Sequence, residues 1–350
     1  MKLLLFTDNH FSQYSSIIRS RGEKYSLRLE NQIKSLNWIN KIAEEEQCDF
    51  IVCLGDFFDK PELNAEEITA LKEIKWCNKP KYFIVGNHET NSHDLTFNSL
   101  NALNSIGKII DKPTMINGFG FNLYMLPYIV ENNRKTLKDY LTKLNYNYYK
   151  DNFTTMEYKQ SIILSHNDIS GIRYGQYESK NGFDINDITD NCDLYINGHL
   201  HNQTQISDKI FNLGNLTGQN FSEDGFKYSH CIGILDTYSM KLDLINNPFA
   251  FNFYKIEVNN IQELKNQIEK LDKEYSIGTI KIPEQYIDEA RIICNEHFKE
   301  YRLLMIPNIK TQIDNINDNN SNIDHIQKFK NYCLENIGSS DILMQELDLL

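Results

Sequence analysis

The N-terminal part of the chain is built from short apolar runs that stop abruptly against polar clusters. Lys2–Phe6, Phe50–Leu54, Tyr82–Val85, Ser161–Leu164 and Asp193–Ile196 have the length of buried strands rather than of helices. Between the first of these, Leu29, Ile33, Leu36, Ile39, Ile42 and Ala43 recur at helical spacing, and Ala65–Ile74 is rich in Glu, Leu and Ile. Both segments predict helices, and Asp94–Ser105 predicts another. Strands alternating with helices are the pattern of a parallel sheet with crossover helices. From Gly107 to Tyr128 the texture changes. Apolar pieces such as Phe121–Leu126, set among Gly118, Gly120 and Pro127, predict antiparallel strands of a second sheet. Asn132–Tyr149 is polar with helical stretches, and Lys209–Leu213, His230–Asp236 and Lys241–Ile245 read as further strands.

After Pro248 the pattern starts again. Strand-like Phe251–Val258, Gly278–Ile282 and Tyr301–Ile306 are separated by helical patterns at Ile261–Leu271 and Ile287–Phe298. The expected organisation is a main domain over 1–248, a small α+β domain over 249–312, a flexible linker over 313–324 dominated by Asn and Asp, and a helical tail over 325–350. In the tail, Ile326, Phe329, Cys333 and Ile337 form one apolar stripe, followed by Leu343, Leu347 and Leu350. Such a stripe either folds back on the body or is offered to a partner, and a partner is the expectation.

Composition narrows the class. Hydrophobic residues are 41% and charged residues 24%, and no apolar run approaches the roughly 18 residues of a membrane span. The segment Met1–Phe6 is too short for a signal peptide, and Asp8 follows at once, so a cytoplasmic protein with no membrane partner is expected. The seven cysteines are scattered, odd in number and without a Cys-x-x-Cys pair, which predicts buried free thiols rather than disulfides or zinc. The net charge of −12 argues against holding nucleic acid by a general basic surface. It leaves room for a local basic strip, and Arg19, Arg21, Lys24 and Arg28 form such a run: a candidate phosphate contact, or a solvated face.

The chemistry lies where the strands end. Asp8 and His10 follow the first strand; two apart, they would point the same way from an extended segment. Gly55-Asp56, with Asp59 nearby, follows the second, and Gly86-Asn87-His88-Glu89 follows the third. His166 follows a later strand, and Gly198-His199-Leu200-His201 another. Five of the nine histidines therefore sit just past strand ends, which packing alone would not arrange. The mixed oxygen and nitrogen set Asp8, His10, Asp56, Asn87, His166, His199 and His201 is too rich for one structural zinc, which takes four ligands. It suits two divalent ions about 3.5–4 Å apart that clamp a phosphate and activate a water, with Asp56 as the bridge. His88 is then free to protonate the leaving oxygen, a task that suits imidazole because it exchanges a proton near neutral pH.

In this order, Asp-x-His, Gly-Asp, Gly-Asn-His-Glu, His166 and Gly-His-x-His resemble the calcineurin-like metallophosphoesterase superfamily over residues 8 to 201. The resemblance implies an α/β fold, an αββα sandwich, with a dinuclear site that commonly holds Mn2+ in the nuclease branch, Mg2+ and other divalent ions also being possible. By motif match, Asp8, His10, Asp56 and His201 would hold one ion. Asp56, Asn87, His166 and His199 would hold the other, and His88 matches the catalytic histidine. A narrower resemblance is to SbcD-type nucleases, including phage recombination subunits. It rests on Ser165-His166-Asn167-Asp168-Ile169-Ser170-Gly171, on the Asn212–Glu223 loop with Gly214, Phe221 and Glu223, and on the layout of a small capping domain and a tail. It implies a DNA exonuclease and endonuclease in recombination and repair, a homodimer in the (host) cytoplasm, and a tail that docks on an SbcC-like, SMC-type ATPase. Glu89 stands where the family has Asp, Asn215 where the branch has Ser, and Ser222 where it has Gly; none is a metal ligand. Two other functions compete: a phosphoesterase for small esters or phosphoproteins using the same centre, and a binding scaffold that has lost catalysis, which missing ligands would signal.

Overall fold

The structure, a computed structural model, describes residues 1–92, 94–152, 159–174 and 177–306. The expected linker and tail lie outside the described residues. Strands β1 (Lys2–Phe6), β2 (Phe50–Cys53), β3 (Lys81–Ile84) and β4 (Lys108–Ile110) pair in that order, all parallel. A second sheet is assembled from β5 (Thr114–Asn117), β6 (Phe121–Leu126) and β7 (Gln160–Ser165). After a short pair, β8 (Arg173–Tyr174) and β9 (Tyr177–Glu178), the same sheet takes β10 (Leu194–Asn197), β11 (Thr204–Gln205) and β12 (Ile210–Asn212). The hairpin β13 (Cys231–Asp236) and β14 (Lys241–Asn246) then returns to the first sheet, where β13 pairs antiparallel with β1.

Side chains alternate faces along each strand, and both faces are apolar, so each sheet is buried on two sides. Leu3 and Leu5 of β1, Val52 of β2 and Ile84 of β3 meet Leu123, Met125, Ile162, Leu164 and Ile196 of the second sheet in the inter-sheet core. On the outer face, Leu4, Phe6, Ile51 and Phe83 pack with Leu29, Leu36, Ile39 and Ala43 of α1 (Leu27–Glu45), whose N-cap Ser26 accepts from the Leu29 N–H. A shorter helix, α2 (Ala65–Ala70), closes the same side with a capping box made by Asn64 and Glu67. The outer face of the second sheet (Tyr124, Leu126, Ile163, Tyr195) is covered by Leu137 and Leu141 of α3 (Leu137–Asn152) and Ile188 of α4 (Ile185–Asn191). Helix, sheet, sheet, helix is the αββα arrangement.

Two expectations are corrected. Within Gly107–Tyr128, β5 and β6 do pair antiparallel in the second sheet, but Lys108–Ile110 joins the first sheet as β4, and the second sheet as a whole is mixed: β6, β7, β10 and β12 run parallel, and only the edge strands β5 and β11 oppose them. The crossovers through α3 and α4 make parallel pairing possible there. Asp94–Ser105 is not an α-helix; it contains a single 3-10 turn at Ser99–Leu103. Asn98 and Asn101 side chains donate to the Leu95 and Thr96 carbonyls, at 2.6 and 3.1 Å, and so compete with helical bonding.

A third sheet follows from β15 (Asn252–Glu257), β16 (Ser276–Pro283) and β17 (Tyr301–Ile306), all parallel, with α5 (Ile261–Ile268) and α6 (Ile287–His297) as crossovers. Ile256, Ile280 and Ile282 pack under both helices. Phe251, Phe253 and Ile277 pack instead on Ile18, Leu27 and Phe221 of the main body. Backbone bonds reinforce this seam: Gly218 N–H donates to the Phe251 carbonyl at 2.9 Å, and Gly225 N–H to that of Phe253 at 2.7 Å. The six described cysteines are free thiols. Among the described residues no helix is long and apolar enough to cross a membrane.

Because β1 fills both cores, truncating it is expected to be costly. Leu4→Ala should lower unfolding free energy by about 2–5 kcal/mol, and Lys2→Ala by no more than about 0.5 kcal/mol. Urea titration of the two variants measures both.

Candidate metal centre

Strands β1, β2 and β3 of the first sheet and β7 and β10 of the second carry the polar clusters at their carboxyl ends, the edge where open α/β sheets place their sites. The two sheets bring those ends together. His166, after β7, places Nε2 3.1 Å from Asp56 Oδ2, after β2, and 3.2 Å from Asn87 Oδ1, after β3. His199, after β10, places Nδ1 3.1 Å from the same Asn87 oxygen. On the other side, Asp8 Oδ1 lies 3.8 Å from His10 Nε2 and 3.9 Å from His201 Nε2. Asp8, His10 and His201 thus form one group with ligand atoms within 4.8 Å of one another, and Asp56, His166 and His199 form a second. A third such group, His10, Asp56 and His88, joins them. All eight predicted centre residues, His88 included, meet in one place.

The aim of these side chains is set by unusual backbone. Asp8, His10, Asp56 and His199 all adopt left-handed conformations, with φ of 48°, 47°, 48° and 70°. Such a conformation costs a non-glycine residue about 1–3 kcal/mol and persists only where its surroundings enforce it. The extended segment expected for Asp8 and His10 is therefore corrected. Two left-handed residues flank Asn9, and N–H bonds from Asp8 to the Gly55 carbonyl (3.1 Å) and from His10 to the Asp56 carbonyl (3.0 Å) hold them. Two glycines let the pieces approach. A Cβ on Gly86 would lie 2.1 Å from Asp56 Oδ1, and one on Gly55, itself at φ +116°, would lie 2.3 Å from His166 Nδ1.

Several of the imidazoles face a backing group through the nitrogen they do not turn inward. His166 Nδ1 lies 2.8 Å from the Leu54 carbonyl and His88 Nδ1 2.9 Å from the Asp59 carbonyl, so both rings donate from Nδ1 and leave Nε2 as the inward atom. His10 Nδ1 faces Asp59 Oδ1 at 3.1 Å, and His199 Nε2 faces Asp168 Oδ1 at 3.0 Å. Carboxylate-backed imidazoles of this kind are the usual supports of metal-binding histidines. Glu89 clamps the β2 and β3 ends together: its carboxylate accepts from the N–H groups of Asp56 (3.1 Å), Phe58 (2.9 Å) and Gly86 (2.7 Å). The supporting roles of Asp168, Glu89 and Glu223, which faces His201 Nδ1 at 3.8 Å, are tertiary and had no signal beyond their place in the motifs.

Charge is concentrated here on side chains several of which are buried. Burial opposes ionisation of Asp8, but His10, His166 and His201 outweigh it and hold its carboxyl down at about 2. Asp56, buried against His166, is held well below the carboxylate range. Burial would likewise strip protons from His10 and His166; Asp59 and Asp8 raise the first to about 10, and Asp56 raises the second to about 9. Burial and the Asp56 charge together push Glu89 up to about 8. Despite this density of charge, Asp8 Oδ1 and His10 Nε2 are buried with no hydrogen-bond partner. Orphaned, converging oxygen and nitrogen donors fit a divalent cation, which would satisfy them.

The exposed members of the basic run are engaged by neighbours. Arg21 pairs with Glu66 at 2.9 Å and donates to the Lys24 carbonyl at 3.1 Å, Lys24 pairs with Glu73, and Arg19 Nε donates to the Ser16 carbonyl at 2.8 Å. Arg28 is buried at 3% exposure, so its place on an open basic strip is corrected: it lies on α1 and points inward, donating to the His10 carbonyl and to Gln219 Oε1.

The family profile described as Calcineurin-like phosphoesterase matches residues 1–203. No curated protein sequence matches the chain. Among solved structures, TT1561 of Thermus thermophilus is similar over 70% of this chain and 98% of its own, at 10% identity and a TM-score of 0.41. A dimetal phosphatase from Danio rerio is similar over 68% of this chain and 93% of its own, at 13% identity and a TM-score of 0.40. The calcineurin-like phosphoesterase YfkN of Bacillus subtilis is similar over 70% and 88%, at 13% identity and a TM-score of 0.37.

In ion-free protein the raised His10 and His166 stabilise the fold fully below the ordinary imidazole value of 6.5, and this is lost as pH rises through about 9 to 10. The lowered Asp8 contributes above 3.8, and its share is lost as pH falls through about 2. Melting of chelator-treated protein across this range should follow that profile. Because cation binding must displace the imidazole protons, adding Mn2+ at about pH 7.5 should release protons. Calorimetric heats that vary with the ionisation enthalpy of the buffer would register the release, and buffer-independent heats would contradict it.

Proposed function

Since the chain belongs to the calcineurin-like phosphoesterase family, we propose that it is a two-metal phosphodiesterase that cleaves DNA, as an exonuclease and endonuclease. The observation that carries the reading is the convergence of two oxygen and nitrogen donor groups beside His88. Asp8, His10, Asp56 and His201 would hold one divalent ion; Asp56, Asn87, His166 and His199 would hold the other. When bound, such ions neutralise phosphoryl oxygens and lower the pKa of a water. Mn2+ is the ion proposed.

The chain's own residues supply orientation and a proton. Asp56 sits between the two groups; its Oδ1 accepts the His88 N–H at 2.9 Å, tying the histidine's backbone to the centre. The Asp59 carbonyl fixes the His88 ring, so Nε2 faces the cavity and can give a proton to the leaving oxygen. With 41% of its side chain exposed, His88 is the most open histidine of the centre, as a group that meets substrate must be.

Support for a polynucleotide substrate comes from the order of motifs and from the third sheet, which packs next to the wall of the same cavity through Phe221, Gly218 and Ile18. In an SbcD-like arrangement that sheet caps the DNA, the tail docks on an SMC-type ATPase, and the protein works as a dimer in recombination and repair.

Linear duplex DNA should be degraded in Mn2+ and spared after chelation. His88→Ala should lower kcat by about 10²–10⁴-fold while leaving ion loading intact. Equal cleavage by both proteins would remove the acid role of His88. Fast turnover of p-nitrophenyl phosphate with DNA left whole would assign the centre to small esters instead.

A further inference from the structure

Arg28 stands on the first turn of α1, and its buried side chain forms part of the wall of a cavity of about 200 Å3 shared with His10, His88 and His201. Its neighbours do not account for a buried cation. Nη2 donates to the His10 carbonyl at 3.2 Å, but that carbonyl already accepts from Gln32 Nε2 at 2.8 Å. The other acceptor is the neutral amide of Gln219. Nε is buried with no hydrogen-bond partner. Among the described residues no carboxylate forms an ion pair with it. Asp59 and Glu223 exert a Coulombic pull on it, but Asp59 faces His10, and Glu223 accepts from Asn215 and the Gln219 N–H.

An arginine stays ionised under such conditions, and an unpaired buried guanidinium is among the least favourable placements in a fold. Its planar fork of donors matches phosphate oxygens. Among the described residues, the hydrogen bonds of Arg28 go to the His10 carbonyl and the Gln219 amide and to no donor atom of the metal groups. Within the shared cavity, an anion on Arg28 and a phosphate at the donor groups would therefore be seated by different atoms. At the mouth of the same cavity Tyr14 exposes 68% of its surface, and an aromatic ring beside a phosphate seat is how nucleotide strands are held.

We propose that the Arg28 side of this cavity seats a second phosphate of the substrate, adjacent along a nucleotide strand to the one cleaved, with the intervening base against Tyr14. The inference rests on the phosphodiesterase reading and deepens it.

The test uses Mn2+-loaded protein and four esters: the p-nitrophenyl esters of thymidine 5′-phosphate and thymidine 3′-phosphate, each with and without a phosphate on the other oxygen. In one of the two pairs the bisphosphate should be favoured in kcat/KM by about tenfold or more, chiefly through KM. Arg28→Met should bring that ratio to about one, and Arg28→Lys should keep part of it. Tyr14→Ala should lower kcat/KM for both members of the favoured pair. Arg28→Met should melt at or above the wild-type temperature, since an apolar chain replaces an unpaired charge; if it fails to fold, Arg28→Lys decides. A preference in neither pair, or one that survives in Arg28→Met, overturns the proposal. Failure of the wild-type protein to hydrolyse any of the four esters would instead remove the phosphodiesterase reading beneath it.

Discussion

Buried carboxylates without lysine or arginine partners set the terms for this end of the molecule. Asp8 and Asp56 are sealed from water, yet both are held in the ionised form by imidazoles from four different strand ends. Neither set of groups tolerates burial alone. The arrangement persists because the backbone is over-determined around it: paired N–H bonds pin the left-handed Asp8 and His10, and Glu89 binds two loops through three amides. The site is thus an electrostatic cluster that the two sheets force together, with donors left over for cations.

Much of this was legible along the chain. The strands Lys2–Phe6, Phe121–Leu126 and Tyr301–Ile306 begin and end where their apolar runs do. Parallel strands share one edge, so a list of polar residues after each apolar run is already a list of neighbours, and Asn87, His166 and His199 meet accordingly. What the run of residues could not convey is tertiary. Left-handed backbone at Asp8 and Asp56 is not legible from residue type alone: Asp is enriched several-fold there, but the conformation is uncommon for any residue other than glycine. The amides of Asn98 and Asn101 look like ordinary helix-surface residues until they bond locally. Arg28 sits in an exposed-looking basic run, and only the packing of α1 against the β1 end turns it inward.

The third sheet illustrates how one surface can serve two ends. Phe251 and Phe253 fill an apolar seam with Ile18 and Phe221, while Asn247 ties the preceding turn to Ser35 of α1 at 3.0 Å. The loops that frame the cavity, 14–16 and 217–223, therefore owe their shape partly to residues from the far end of the described chain.

The hairpin of β13 and β14 has a consequence for how the chain is made. On one side of β1 the backbone pairs with β2, but on the other it waits for β13, with Lys2 opposite Asp236 and the Met1 carbonyl receiving the Thr237 amide at 2.8 Å. At usual ribosomal speeds that wait is roughly 10–50 s. For all that time the earliest strand offers an open, apolar edge to any extended chain nearby. Such distant pairing also slows folding. Closure of the first sheet on this side is thus set by its own late hairpin, one of the last pieces of the main body to be made.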